Sequence, residues 1–160
     1  MPSVALRKVS LENIRALIEI AFFEDESLLS DLHIHPGGVD ECVDNTLGMI
    51  MENAAFYKDD ISYHSIDVDG YPRGYTVTIK NSKQPNELYS FGININYRTP
   101  EIKAEWLKCV KELLGDYYIV LWAKNKRAIR FFEKNGLVIL KNSLYLNDES
   151  KTLLLCQQGD

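Results

Sequence analysis

Residues 117–123, Tyr-Tyr-Ile-Val-Leu-Trp-Ala, form an unbroken apolar run between two helical patterns. A strand with one wet face would alternate; a continuous run needs cover on both faces and marks a central strand. The helix before it opens on Thr99-Pro100-Glu101, a capping hydroxyl, a proline at the first position and a carboxylate that favours the helix dipole. Ile102, Trp106, Leu107, Val110, Leu113 and Leu114 give it one apolar face, and Gly115 ends it. The helix after the run opens on Asn125, carries Ala128, Ile129 and Phe132 along one side and stops at Asn135-Gly136, before a short strand "LVILK". Strands joined through single helices imply right-handed crossovers and a sheet that is parallel in part.

The remaining elements fall around this core. A first strand "VALRKV" is followed by Ser10, placed as an N-cap, and by Leu11, Ile14, Leu17, Ile18 and Phe22 on one helical face. After an acidic loop, Val39, Cys42, Val43, Leu47, Ile50, Met51 and Ala54 repeat with helical period. Next come a hairpin turning at Asp69-Gly70, a strand "ELYSFGININ" and, at the end of the chain, a strand "KTLLLCQ". The expected order is β-α-α-β-β-β-α-β-α-β-β in a single domain covering residues 1–160.

Composition excludes several classes. No stretch is apolar and long enough to span a bilayer, and no signal peptide is evident after Arg7 and Lys8. Three widely spaced cysteines, Cys42, Cys109 and Cys156, read as reduced thiols of a cytoplasmic protein rather than a disulfide framework. The net charge of −5 hides an asymmetry: residues 19–70 hold thirteen Asp/Glu against Lys58 alone, whereas residues 97–136 hold nine Lys/Arg against five Asp/Glu. The acidic half favours a cationic ligand and the basic half an anionic one. Nucleic acid is excluded because the basic stretch is short and lacks interleaved exposed aromatics. His33 and His35 could share a metal only with His64 or an acidic third ligand. No His-Glu-x-x-His or cysteine pair supports such a site, so no metal is expected.

This element order, ending on "NKRAIRFFEKNGL", resembles the GNAT N-acetyltransferases, in which an Asn opens a late helix that finishes Glu-Lys-Asn-Gly before a strand. "VDGYPRGYTV" is similar to that family's second hairpin and "GININYR" to its fourth strand running into the cofactor loop. The resemblance implies a GNAT-like acyl-CoA N-acyltransferase fold, with a mixed, mostly antiparallel sheet and a splayed central parallel pair. It also implies acetyl-CoA as co-substrate and a small-molecule or peptide amine as acceptor, with the acidic first half walling the acceptor site and favouring a cationic one. The backbone of Ile93, Asn94 and Ile95 would pair with the pantetheine arm, and Asn125, Ala128 and Arg130 would lie near the arm and the phosphates. Glu87, eleven positions before Arg98, falls where some members carry a glutamate that deprotonates the amine through water. Tyr89 and Ser90 are weaker candidates for substrate contact.

Two positions depart from the family. Its Arg/Gln-x-x-Gly-x-Gly/Ala loop brings backbone amides against the CoA pyrophosphate. Here Arg98 matches, but the glycine positions hold Glu101 and Lys103, and Pro100, between Arg98 and the first of them, has no N–H to donate. Lys103 and Arg98 would offset part of the repulsion from Glu101. Phe132 stands where many members have a tyrosine that protonates the departing thiolate. Weakened cofactor binding is therefore expected of an enzyme, and the alternative is a non-catalytic GNAT-fold binding or regulatory module.

Overall fold

The computed structural model describes residues 2–25, 38–81, 83, 85–123, 125–140 and 151–156, with side chains in the last segment described at Leu154 and Cys156. The elements are β1 (Val4–Val9), α1 (Ile14–Phe22), α2 (Val39–Tyr57), β2 (Ile61–Val68), β3 (Tyr71–Ile79), β4 (Asn86–Ile93), α3 (Pro100–Leu114), β5 (Tyr117–Trp122), α4 (Lys126–Lys134), β6 (Val138–Leu140) and β7 (Lys151–Cys156). Apart from single 3-10 turns, this is the expected order.

Among the described residues, seven strands form one sheet in the order β1-β2-β3-β4-β5-β7-β6. Every pair is antiparallel except β4–β5, which is joined through α3 and is parallel. Asp69 and Gly70 both take positive φ, 51° and 86°, as a two-residue hairpin turn needs.

Each sheet face packs its own core. On one face α3 and α4 cover Leu88, Ile93, Tyr117, Ile119 and Leu121, with Trp106 and Phe132 fully buried among them. On the other, α1 and α2 cover Tyr63, Tyr75, Val77 and Ile79. Trp106 satisfies its indole N–H by donating to Thr76 Oγ1 on β3 at 3.0 Å.

Four local expectations are corrected. Ser10 does not cap with its side chain; its Oγ accepts from Asn13 Nδ2, and a 3-10 turn over Leu11–Asn13 precedes α1. Met51, expected in the core, is 54 % exposed, because α2 buries a narrow stripe of Cys42, Val43 and Ile50. The fourth strand ends at Ile93, not at Asn96. Asn94 breaks it by accepting from the Asn96 N–H with Oδ1 and donating from Nδ2 to the Ile20 carbonyl, which starts a 3-10 turn over Ile95–Tyr97. The fourth concerns β4 itself: Val77 pairs with Ser90 but Thr78 with Leu88, so Tyr89 is an inserted residue. This bulge reverses the alternation, sending Leu88 and Phe91 to the α3 face and Ser90 and Gly92 to the α1 face.

Candidate active site

β4 and β5 pair at only two positions, Asn86–Tyr117 and Glu87–Tyr118, and then diverge. Beyond that point β4 pairs only with β3 and β5 only with β7, so the two facing backbone edges border a gap. Such edges can bond an extended ligand that carries its own amides. The gap opens into a cleft of about 330 Å³. Its α3–α4 wall presents Phe91, Trp106, Phe131 and Phe132, and its α1–α2 wall Phe22, Cys42, Thr46 and Tyr89.

Three cations border the cleft: Arg98, Lys103 and Arg127. Lys103 sits over the Phe131 ring, its Nζ 4.8 Å from the centroid. Burial, then the like charges of Arg98 and Arg127, lower its pKa. Arg98 is turned inward: Nη2 donates to Asp25 Oδ2 at 2.6 Å, and Nε and Nη2 both donate to the Ile93 carbonyl, at 3.2 and 2.9 Å. Asp25 is 1 % exposed.

The start of α3 carries its own bonds. Thr99 Oγ1 accepts from the Ile102 N–H at 3.2 Å and the Thr99 carbonyl from the Lys103 N–H at 3.0 Å. Pro100 has no N–H, so only the Glu101 amide of this described turn makes no bond. At α4, Asn125 is the N-cap, its Oδ1 accepting from the Ala128 N–H at 3.3 Å.

Ile93, Arg98, Lys103, Asn125 and Ala128 thus line one cleft. Asn94 and Ile95 lie in the turn past β4, where the Asn94 N–H is taken by the Arg73 carbonyl at 2.8 Å. Arg130 is on the exposed face of α4. Glu87 lies at the closed end of the splay, accepting from Tyr118 Oη at 2.9 Å. Burial raises its pKa and the Tyr118 bond partly opposes that. Ser90 Oγ is hydrogen-bonded to Tyr75 Oη at 2.9 Å, and Tyr89 Oη accepts from Asn53 Nδ2 at 2.7 Å.

Glu26 and Asp31, in the acidic loop expected to wall the acceptor site, lie outside the described residues. Asp40, Asp44, Glu52, Asp59 and Asp60 lie on exposed surface, and Asp44 is paired with Arg15. Asp25 is the only described carboxylate lining the cleft. His33 and His35 lie outside the described residues. His64 is buried in the middle of β2, opposite Lys8 and Thr76. Phe132 is fully buried.

Sequence reasoning did not single out Asp25, Trp122, Arg127 or Phe131. Trp122 and Phe131 could be found as large apolar side chains next to a cap or a strand end that no period requires. Asp25 could not, since its role depends on where Arg98 folds back.

A seven-stranded sheet splayed at one parallel pair, with two described helices on each face, has close structural matches among solved proteins. An acetyltransferase from Thermus thermophilus superposes with a TM-score of 0.72 at 14 % identity, over 96 % of both chains. The fold is that of the GNAT acetyltransferases. A PaiA N-acetyltransferase from Thermoplasma acidophilum in complex with coenzyme A matches at TM-score 0.66 and 17 % identity, over 98 % of this chain and 99 % of its own. RimL, a ribosomal-protein alpha-N-acetyltransferase in complex with coenzyme A, matches at 0.62 and 12 %, over 97 % and 94 %. No protein-family model matches the chain, and no curated protein matches it. No helix among the described residues is long and apolar enough to cross a membrane.

Proposed function

We propose that this GNAT fold transfers an acetyl group from acetyl-CoA to a primary amine. The observation that carries this reading is the splay of β4 from β5 around an open cleft bordered by Lys103 and Arg127. Two unpaired strand edges suit the amide-bearing pantetheine arm, and the cations suit its phosphates. Similarity to structures that hold coenzyme A supports the same ligand. Acetyl-CoA brings an activated thioester. Attack by a neutral amine forms the C–N bond and breaks the C–S bond, without a covalent enzyme intermediate. Glu87, outside the cleft lining, would take the amine proton through water, and the thiolate would leave without a tyrosine at position 132. Asn125 and Ala128 hold the start of α4 against the arm. The three cysteines, none in a disulfide, are consistent with work in the cytoplasm.

A second reading, a GNAT-fold module that binds without turnover, has one observation in its favour. Nε and Nη2 of Arg98 and the Ile102 and Lys103 amides of α3 are committed within the protein, so a pyrophosphate would meet few donors there. Thermal unfolding with and without acetyl-CoA, together with thiol release from acetyl-CoA in the presence of amines, separates the two. At 100-fold its Kd a ligand adds about 2.7 kcal/mol. A shift with thiol release supports the enzyme, a shift without it the module, and no shift removes the acetyl-CoA reading.

A further inference from the structure

We infer that Tyr118 is the positioning residue for the amine-deprotonating carboxylate: its phenol pins one oxygen of Glu87 and leaves the other to the water that carries the amine proton. This deepens the acetyl-transfer reading and rests on it.

Register and alternation bring the two groups together. Glu87 and Tyr118 are the last pair that β4 and β5 make before they part. Leu88 on β4 and Tyr117 and Ile119 on β5 pack into the α3–α4 core, so Glu87 and Tyr118 both project to the opposite face. Side by side at the floor of the splay, they bond directly, Tyr118 Oη donating to Glu87 Oε1 at 2.9 Å. The cleft lining begins at Tyr89 on β4 and Ile119 on β5, so the pair stands directly beneath it. Tyr89 is close enough to Glu87 for its phenol to feel the carboxylate charge.

The two oxygens of Glu87 are unlike. Oε1 is taken by Tyr118. Oε2 bonds no described residue, yet it is not one of the sealed oxygens that lack a partner, so it keeps contact with solvent. One oxygen fixed and one open to water suits a base that works through a bound water. Burial raises the carboxyl pKa, and among the described residues Tyr118 is the group that opposes this. Tyr89 faces Glu52 and Tyr57 on α2 as well as Glu87, and none of these groups brings a positive charge. A cation in place of Tyr118 would also favour the carboxylate, but it would repel an incoming ammonium; a phenol does the first without the second.

The test reads Glu87 in two ways. Its side-chain carboxyl is titrated by NMR, assigned by loss of the signal in Glu87→Gln. In parallel, kcat/KM for acetylation of phenethylamine, spermidine and a lysine-containing tetrapeptide is followed against pH. Tyr118→Phe removes only the hydroxyl. It should move both the titration and the acid limb of the rate profile to higher pH, with rates about tenfold down below neutral pH and a smaller loss on the alkaline plateau. Replacing Tyr118 by 3-fluorotyrosine, a more acidic phenol and a stronger donor, should move both to lower pH. A merely structural tyrosine would not reverse direction with the acidity of its hydroxyl. A carboxyl titration that stays in place in both proteins overturns the inference, and so does an acid limb that stays while the titration moves; acetyl transfer then stands without Tyr118. If the wild type acetylates none of the three amines, the transferase reading falls and takes the role of Tyr118 with it. If Tyr118→Phe does not fold, the fluorotyrosine protein still decides.

Discussion

Arg98 folds back along its own strand end to hold Asp25 at 2.6 Å, which ties the segment after α1 to the turn between β4 and α3. The same guanidinium bonds the Ile93 carbonyl twice, so the last peptide of β4 is held where the strand leaves the sheet. In the resemblance, an arginine at this position belongs to the pyrophosphate loop. Here Nε and Nη2 are used inside the protein.

The first prediction follows from that geometry. Asp25→Asn leaves a largely buried guanidinium with a neutral partner and should destabilise the fold by about 2–3 kcal/mol, below the usual cost of breaking a buried pair because Arg98 retains some solvent. Arg98→Gln, which uncovers Asp25, should cost at least as much. Acetyl-CoA affinity of folded Arg98→Gln should fall less than that of Lys103→Ala, which removes a cation directed at the cleft. Denaturant unfolding and calorimetry on the three variants check both parts; a larger affinity loss at Arg98 would return it to the pyrophosphate site.

The order of elements was legible because helices and strands in this chain keep clean periods and sharp ends. Thr99, Asn125 and Gly115 cap or terminate where their chemistry requires. The site was less legible, for reasons that lie in single residues. Nothing in "ELYSFGININ" marks Tyr89 as an inserted residue, since a bulge depends on the register of two strands and not on the sequence of one. The acidic charge of residues 19–70 was visible, but whether a helix turns it toward the cleft or away depends on which stripe is buried. In α2 that stripe is Cys42, Val43 and Ile50.

Glu87 gives a second prediction, in which stability and turnover move in opposite directions. Burial raises its pKa, so the folded protein resists ionising it. A raised carboxyl pKa contributes stability below the unfolded value and loses it as pH rises through the folded value. Glu87→Gln, which can still accept from Tyr118, should therefore raise the melting temperature at pH 7 and lose that advantage near pH 4. If Glu87 is the base, the same variant should lower acetylation most below neutral pH, where removing the amine proton is hardest. Rates unchanged across the pH range would take Glu87 out of the mechanism.

His64 supplies a third, independent of any ligand. It is 7 % exposed, its Nδ1 has no partner, and burial followed by the neighbouring Lys8 lowers its pKa. The unfolded chain binds a proton near pH 6.5 that the folded protein binds only at lower pH. Stability is then complete above pH 6.5 and falls as pH drops toward the folded value. His64→Gln should flatten the fall in melting temperature between pH 7 and pH 5. An unchanged slope would assign the acid sensitivity to other groups.

Gly74 and Gly92 test the close approach of β3 to β4 and of α1 to the sheet. A Cβ at Gly74 would lie 2.1 Å from the Gly92 carbonyl oxygen, which only backbone movement could relieve. At Gly92 it would meet Ala21, Phe22 and Tyr75 side chains at 3.0 Å, which can yield by small shifts. Gly92→Ala should cost about 1–3 kcal/mol, and Gly74→Ala more, on the order of 3 kcal/mol or above. Equal midpoints of denaturation for the two would mean that the strands separate easily at Gly74.

The last prediction concerns Glu101 and separates a weakened enzyme from a module without CoA chemistry. Its carboxylate is exposed in the first turn of α3, where it favours the helix dipole and opposes any anion brought to the cation cluster. Glu101→Gly removes that repulsion and leaves the one unbonded amide of the turn free to approach a phosphate. The helix cost is about 1 kcal/mol, which a 160-residue domain can absorb. A like charge at contact distance in water is worth about 1 kcal/mol, so acetyl-CoA affinity should rise about threefold to fivefold at low salt. The gain should shrink as salt screens the pair. Calorimetry at two ionic strengths reads this directly: a salt-sensitive gain places the phosphates at the start of α3. A folded variant that binds acetyl-CoA no better than the wild type at either salt would place them elsewhere, and one that does not bind it at all would leave only the module reading.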